Sequence, residues 1–140
     1  MYSKKINNIV DNTIWITGGA RSGTSILGKI LSTLKGVEYA FEPEYLFYIL
    51  SQIRKLNKNN WNRGYSTYLI EELFFNMCLG RRANFKKNED SFIGNSLSPK
   101  NIEKKLKINI SRSDFENYLN KNKKKLLIKI PDVSRYLVTV

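Results

Sequence analysis

Histidine is missing from all 140 residues of the chain. That removes histidine metal sites, histidine general bases and any serine-histidine triad. Whatever chemistry exists runs on carboxylate, lysine, arginine and hydroxyl groups. Cysteine is almost missing too: Cys78 is the single one, so it has no internal disulfide partner. Its place within the hydrophobic stretch Leu73 to Leu79 predicts a small packed apolar residue, not a reactive thiol. No apolar run approaches the roughly 18 residues needed to span a bilayer. The start, Met1 to Asn8, lacks the apolar core of a signal peptide. Together these gaps predict a soluble, cytoplasmic chain without a metal centre.

What is abundant is positive charge. Lys and Arg number 24 against 12 Asp and Glu, a net +12. Residues 1 to 50 hold five Lys/Arg against four Asp/Glu, and residues 51 to 140 hold nineteen against eight. A field of this sign favours anionic ligands or partners. Lysine is nevertheless mixed with Asn and Ile throughout, as in a general compositional bias. No recognised nucleic-acid motif or aromatic platform accompanies it, so no specific nucleic-acid partner is predicted. The length and the 41% hydrophobic content fit a single domain over residues 1–140 with a moderate core.

The most informative stretch runs from Ile14 to Gly28. Thr13 to Thr17 is rich in β-formers and reads as a strand. Glycines 18, 19 and 23 follow, and then Ile26, Leu27, Ile30, Leu31 and Leu34 recur at helical spacing up to Gly36. That periodicity predicts a helix from Ser22 to about Leu34, its apolar face lying on a sheet. A glycine-rich turn between strand and helix lets backbone N–H groups converge on one point beside the unpaired amides of the helix start, which is an anion cradle. Gly18 to Ser25 matches the phosphate-loop pattern G-x-x-x-x-G-K-[ST] except for its lysine, replaced by Thr24. Charge must then come from elsewhere, and Arg21 is the loop's own donor.

Val37 to Phe41 reads as a second strand, parallel to the first after the crossover. Glu42 and Glu44 would then emerge beside the mouth of the loop, in the crevice where such sheets bind ligands. A helix is expected from Tyr45 to about Leu56, a polar connection over 57–64, and a helix from Ser66 to Leu79. Arg81 to Ser98 reads as a loop with a strand or turn at Phe92–Gly94. Ser98-Pro99 opens a helix to about Lys107, and the capping-box sequence Ser113-Asp114-Phe115-Glu116 opens another. Leu126 to Ile130 is a continuous apolar run suited to a central parallel strand. Val133 to Val140 would begin a further element.

The run Gly18-Gly19-Ala20-Arg21-Ser22-Gly23-Thr24-Ser25, the segment Ala40-Phe41-Glu42-Pro43, and the strand ending Lys129-Ile130-Pro131 occur in that order. Together they resemble sulfotransferases that use 3'-phosphoadenosine 5'-phosphosulfate (PAPS), closest to the bacterial, Golgi and tyrosylprotein branches. The resemblance implies a three-layer α/β domain of P-loop type on a parallel sheet. It covers the N-terminal part only. The Arg-Asp-Pro-like segment and downstream serine that hold the 3'-phosphate have no match, so the chain reads as a fragment or truncated member, incomplete relative to a full domain.

By the same resemblance, Gly19, Ala20, Arg21, Ser22, Gly23, Thr24 and Ser25 hold the 5'-phosphosulfate of PAPS. Glu42 accepts the proton of the acceptor's hydroxyl or amine, with Glu44 a weaker substitute. Lys129 and Arg21 offset charge on the transferring group. The acceptor, whether small molecule, glycan or peptide, is not named by any residue, nor is an oligomeric state. From the residues alone, Glu42 equally suits an ion pair with Arg21 or a helix cap, and Lys129 suits a surface strand end. Rival readings are a P-loop nucleotide kinase or NTPase, weakened by Thr24, and a non-catalytic remnant that binds anions.

Overall fold

A computed structural model describes residues 4–52, 55–81, 92–94 and 97–131. Three parallel strands form the sheet: β1 (Ile14–Ile16), β2 (Val37–Phe41) and β3 (Lys125–Lys129), in the order β1-β3-β2. β3 is central, as its unbroken apolar run predicts, and Leu126, Leu127 and Ile128 are all buried. Its register sets Ile16 and Phe41 on either side of Lys129. All three strands therefore end at one edge, as parallel pairing requires.

Alternation of side chains along the strands divides the core between two faces. Ala40, Leu126 and Ile128 join a large helical cluster with Leu69, Phe74 and Leu119, while Ile16, Tyr39 and Leu127 join a smaller one with Ile93 and the half-buried Leu31. Helix α2 (Thr24–Ser32) supplies Leu31 and lies over β2 and β3 on that second face. The protein is thus an α/β layered fold around a small parallel sheet.

The larger face is covered by helices whose starts are only partly legible. α1 (Lys4–Asp11) packs Ile6, Ile9 and Val10 against the large cluster, although no element is expected in this polar start. α3 spans Leu46–Ser51, shorter than the Tyr45 to Leu56 expected. Of residues 57–64, expected as a connection, 58–64 are helical. Asn57 accepts the Asn60 amide proton at 2.9 Å as an N-cap, and α4 (Lys58–Thr67) buries Trp61, whose indole N–H donates to the Ile49 carbonyl at 2.9 Å. The helix then widens into π geometry over Tyr68–Phe74 and ends as α5 (Phe75–Cys78). Tyr68, Leu69, Ile70, Leu73 and Phe74 are all buried, so this stretch is enclosed nearly all round. Cys78 lies in it fully covered, and burial pushes its thiol pKa up, keeping it protonated and inert.

α6 (Pro99–Leu106) starts as expected, with the Ser98 hydroxyl accepting from the Asn101 amide at 3.3 Å and Pro99 in the first turn. α7 (Phe115–Lys121) forms without its capping box. Ser111, not Ser113, accepts the Asp114 amide proton at 3.2 Å, and Ser113 bonds Ser111 instead. The expectations for Arg81 to Ser98 lie mostly outside the described residues, and those for Val133 to Val140 wholly so. Gly94 falls in a turn, with no strand at residues 92–94.

α2 departs from expectation in its orientation. Ile26, Leu27, Ile30 and Leu34 are exposed by 67, 47, 59 and 56%, so the predicted sheet-facing stripe points largely outward. Gly28 and Leu31, and not this stripe, are the positions of α2 turned to the sheet. The buried residue of α2 is Gly28, where an added Cβ would lie 2.6 Å from ring carbons of Tyr39. Absence of a side chain there sets how closely α2 approaches β2. Gly28→Ala is expected to destabilise the fold by about 1–3 kcal/mol, read as a Tm lowered by roughly 4 °C per kcal/mol. Unchanged melting would show that α2 does not sit on Tyr39.

Candidate functional site

The loop between β1 and α2 leaves the edge at which all three strands end. Gly23 takes φ 80°, a left-handed conformation that disfavours any Cβ, and it is the N-cap of α2 with no side chain capping the helix. The first amides of α2 are therefore uncapped by any side chain and remain available to an anion. Upstream, the Ser22 amide donates to the Gly19 carbonyl at 3.3 Å. A Cβ on Gly18 would lie 2.8 Å from the Ser22 hydroxyl oxygen, so that position is also closely approached. Gly19, Ala20, Arg21, Ser22 and Gly23 are exposed, while Thr24 and Ser25, in the first turn of α2, are half-buried.

Lys129 ends β3. It is 7% exposed, on the same face as Ile16, Tyr39 and Leu127, which is the face α2 covers. A buried lysine needs a partner, and Lys129 has two. Its ammonium is ion-paired with Glu42 and lies 4.7 Å above the centre of the Phe41 ring. The backbones are joined as well, the Glu42 amide donating to the Lys129 carbonyl at 2.8 Å. Glu42 is held at φ 43° and its side chain is 38% exposed, so one carboxylate oxygen can meet solvent while the other holds the lysine.

The structure thus joins two of the predicted residues, Glu42 and Lys129, which stand 87 positions apart in the chain. Glu42 pairs with Lys129, not with Arg21. Arg21 sits exposed in the loop with φ 60°. Glu44, the substitute, is exposed past the strand end. Sequence reasoning missed Phe41, whose ring supports Lys129, and Tyr39, whose pKa is pushed up to about 12 by burial and by the Glu42 charge. Tyr39 therefore stays protonated and neutral. Alternation in β2 carries the only signal for either ring, since both share the parity that faces α2.

Chemically, this edge offers main-chain donors at a helix start, one loop guanidinium, one lysine and one carboxylate. These are the group types that oxyanion binding and proton uptake require. Among the described residues no three of the metal-ligating side chains come together, and no helix is long and apolar enough to cross a membrane. Comparison with protein-family models, with curated proteins and with solved structures returns no match for the chain.

Proposed function

We propose that this edge is the 5'-phosphosulfate site of a PAPS-dependent sulfotransferase. The observation that carries the reading is the direct contact of Lys129 with Glu42 at the strand ends onto which the glycine loop opens. Supporting it are the uncapped start of α2 behind Gly23 and the strand order β1-β3-β2, which sets β3 and its lysine between the loop-bearing strand and the glutamate-bearing one.

Sulfuryl transfer breaks the bond between sulfur and the bridging oxygen of the phosphosulfate and forms a bond from sulfur to an acceptor oxygen or nitrogen. Negative charge grows on the leaving phosphate, and a proton leaves the acceptor. Amides of residues 19–25, with the Thr24 and Ser25 hydroxyls and Arg21, hold the phosphate and sulfonate oxygens on this reading. Lys129 turns from Glu42 toward the bridging oxygen as charge develops there. Glu42, released from the lysine, takes the acceptor proton as the new bond forms. The ion pair seen here is the resting form, each group holding the other in place.

Calorimetric titration with 3'-phosphoadenosine 5'-phosphate and, separately, with ATP tests the proposal. Binding of the bisphosphate, without added metal and tighter than ATP, is expected. Tighter ATP binding with magnesium-dependent hydrolysis would replace this reading with a P-loop kinase or NTPase. Binding of neither would leave a non-catalytic chain.

A further inference from the structure

A second pocket lies at the opposite end of the sheet. It has a volume of about 390 Å³ and is formed where α2 ends, where β2 begins and where α6 crosses. Val37, the first residue of β2, and Lys124, just before β3, line it, whereas the phosphate-loop edge is reached only past the last residues of these strands. The four steps from the first to the last residue of a five-residue strand, at about 3.3 Å each, put roughly 13 Å between the two ends.

Charge in this pocket is one-sided. Lys35, Lys104, Lys105 and Lys124 line it against a single carboxylate, Glu38. Glu38 is already shared: its side chain, 2% exposed, is ion-paired with Lys105 and, at 2.6 Å, with Lys124. Burial alone would lower the Lys124 pKa, but the Glu38 charge and hydrogen bond outweigh it and raise the value, so the ammonium is held charged. The triad keeps a net positive charge, to which Lys35 and Lys104 add theirs. The rest of the lining includes apolar side chains, Leu34, Ile93, Leu97 and Ile108, and the Asn101 amide. A pocket of this size with an apolar wall and a few convergent polar groups suits a small ligand. Bare inorganic ions would leave the apolar wall unused, and a neutral apolar molecule would leave the lysines unmatched.

We infer that this pocket binds a small organic anion, a compact apolar body carrying one phosphate or carboxylate group. The head group sits between Lys35 and Lys104 beside the Glu38 triad, and the body lies against Leu34, Ile93 and Leu97. The head-group lysines lie at the far end of the sheet from the phosphate-loop edge, and Tyr39 is the residue of that site which also lines this pocket.

Amide chemical-shift titrations of the whole chain with hexyl phosphate, hexanoate and inorganic phosphate test it. Saturable shifts at residues 34–39 and 101–108 are expected with hexyl phosphate or hexanoate, at an affinity at least tenfold above that of inorganic phosphate. The double variant K35S/K104S, which leaves the buried triad intact, is expected to lose at least tenfold in that affinity while keeping its melting temperature. Comparison of the two organic probes decides between phosphate and carboxylate head groups. Shifts confined to residues 18–25, equal affinity for inorganic phosphate, or unchanged binding by the double variant would each overturn the assignment.

Discussion

Glu38→Ala is expected to lower the stability of the protein by about 3 kcal/mol, because it strands two inward-directed ammonium groups. Glu38 is the most deeply buried charge among the described residues, at 1% exposure, and Lys105 and Lys124 reach it from α6 and from the turn before β3. Truncation leaves both cations facing Met77 and the apolar pocket wall, and they must swing outward or remain unpaired. The two lysine side chains keep 19 and 16% exposure, which permits part of that swing and holds the loss near the lower end of the range for a fully buried pair. Against a total stability of roughly 5–15 kcal/mol for a domain, such a change is readily measured by urea unfolding. The triple variant E38L/K105M/K124M, which removes every member at similar volume, is expected to recover most of the loss. If the single and triple variants are equally destabilised, packing at position 38 matters and the charge pairing does not.

Lys129→Met and Glu42→Gln are expected to move nucleotide binding in opposite directions. On the sulfuryl-transfer reading, Lys129 donates to the anionic ligand, and a hydrogen bond to a charged group contributes about 1.5–3 kcal/mol. Lys129→Met should therefore weaken binding of 3'-phosphoadenosine 5'-phosphate by about 30-fold at the usual tenfold per 1.4 kcal/mol. Glu42→Gln removes the carboxylate that competes for the same ammonium. A partly exposed pair of this kind is worth up to about 1 kcal/mol, so binding should tighten by about threefold. Sulfuryl transfer would fall in both variants, in the second because a general base is lost. Calorimetry on the two variants separates this from a purely structural ion pair. Affinity changes of the same sign, or none in either variant, would count against a ligand-facing role for the pair.

Much of the sheet is legible from local pattern. β2 was expected over the residues it occupies, and β1 and β3 differ from expectation by a residue at their ends, because β-branched and apolar runs bounded by Gly, Asn and Pro admit few other readings. The contact of Glu42 with Lys129 is not a local property. It follows from β3 entering between β1 and β2, a consequence of chain crossing that no spacing records, and only the family likeness put both residues at one site. Helices are less legible where polar residues dominate. α1 carries Ile6, Ile9 and Val10 at helical intervals, but Lys and Asn around them mask the stripe. α4 looked like a connection because Asn is common in turns, yet the same Asn57 serves as its cap and Trp61 anchors it. The converse holds at α2, where a clear apolar period implies a buried face, yet Gly28 and Leu31 meet the sheet instead. The role of Glu38 is not legible in the sequence, because a carboxylate in a strand reads as a solvent-facing residue until its two lysines are located in space.

Backbone conformation at the strand edge carries one more consequence. Arg21 and Glu42 both occupy left-handed φ values, 60° and 43°, and the remaining non-glycine example among the described residues is Lys123 in the turn before β3. An L-residue pays roughly 1–2 kcal/mol for such a twist, which glycine would avoid. Folding alone would thus be better served by glycine at both places. Keeping a guanidinium and a carboxylate there means that two torsionally unfavourable linkages are held by the surrounding hydrogen bonds. Relaxing either one would gain robustness at the expense of a charge placed beside the strand ends.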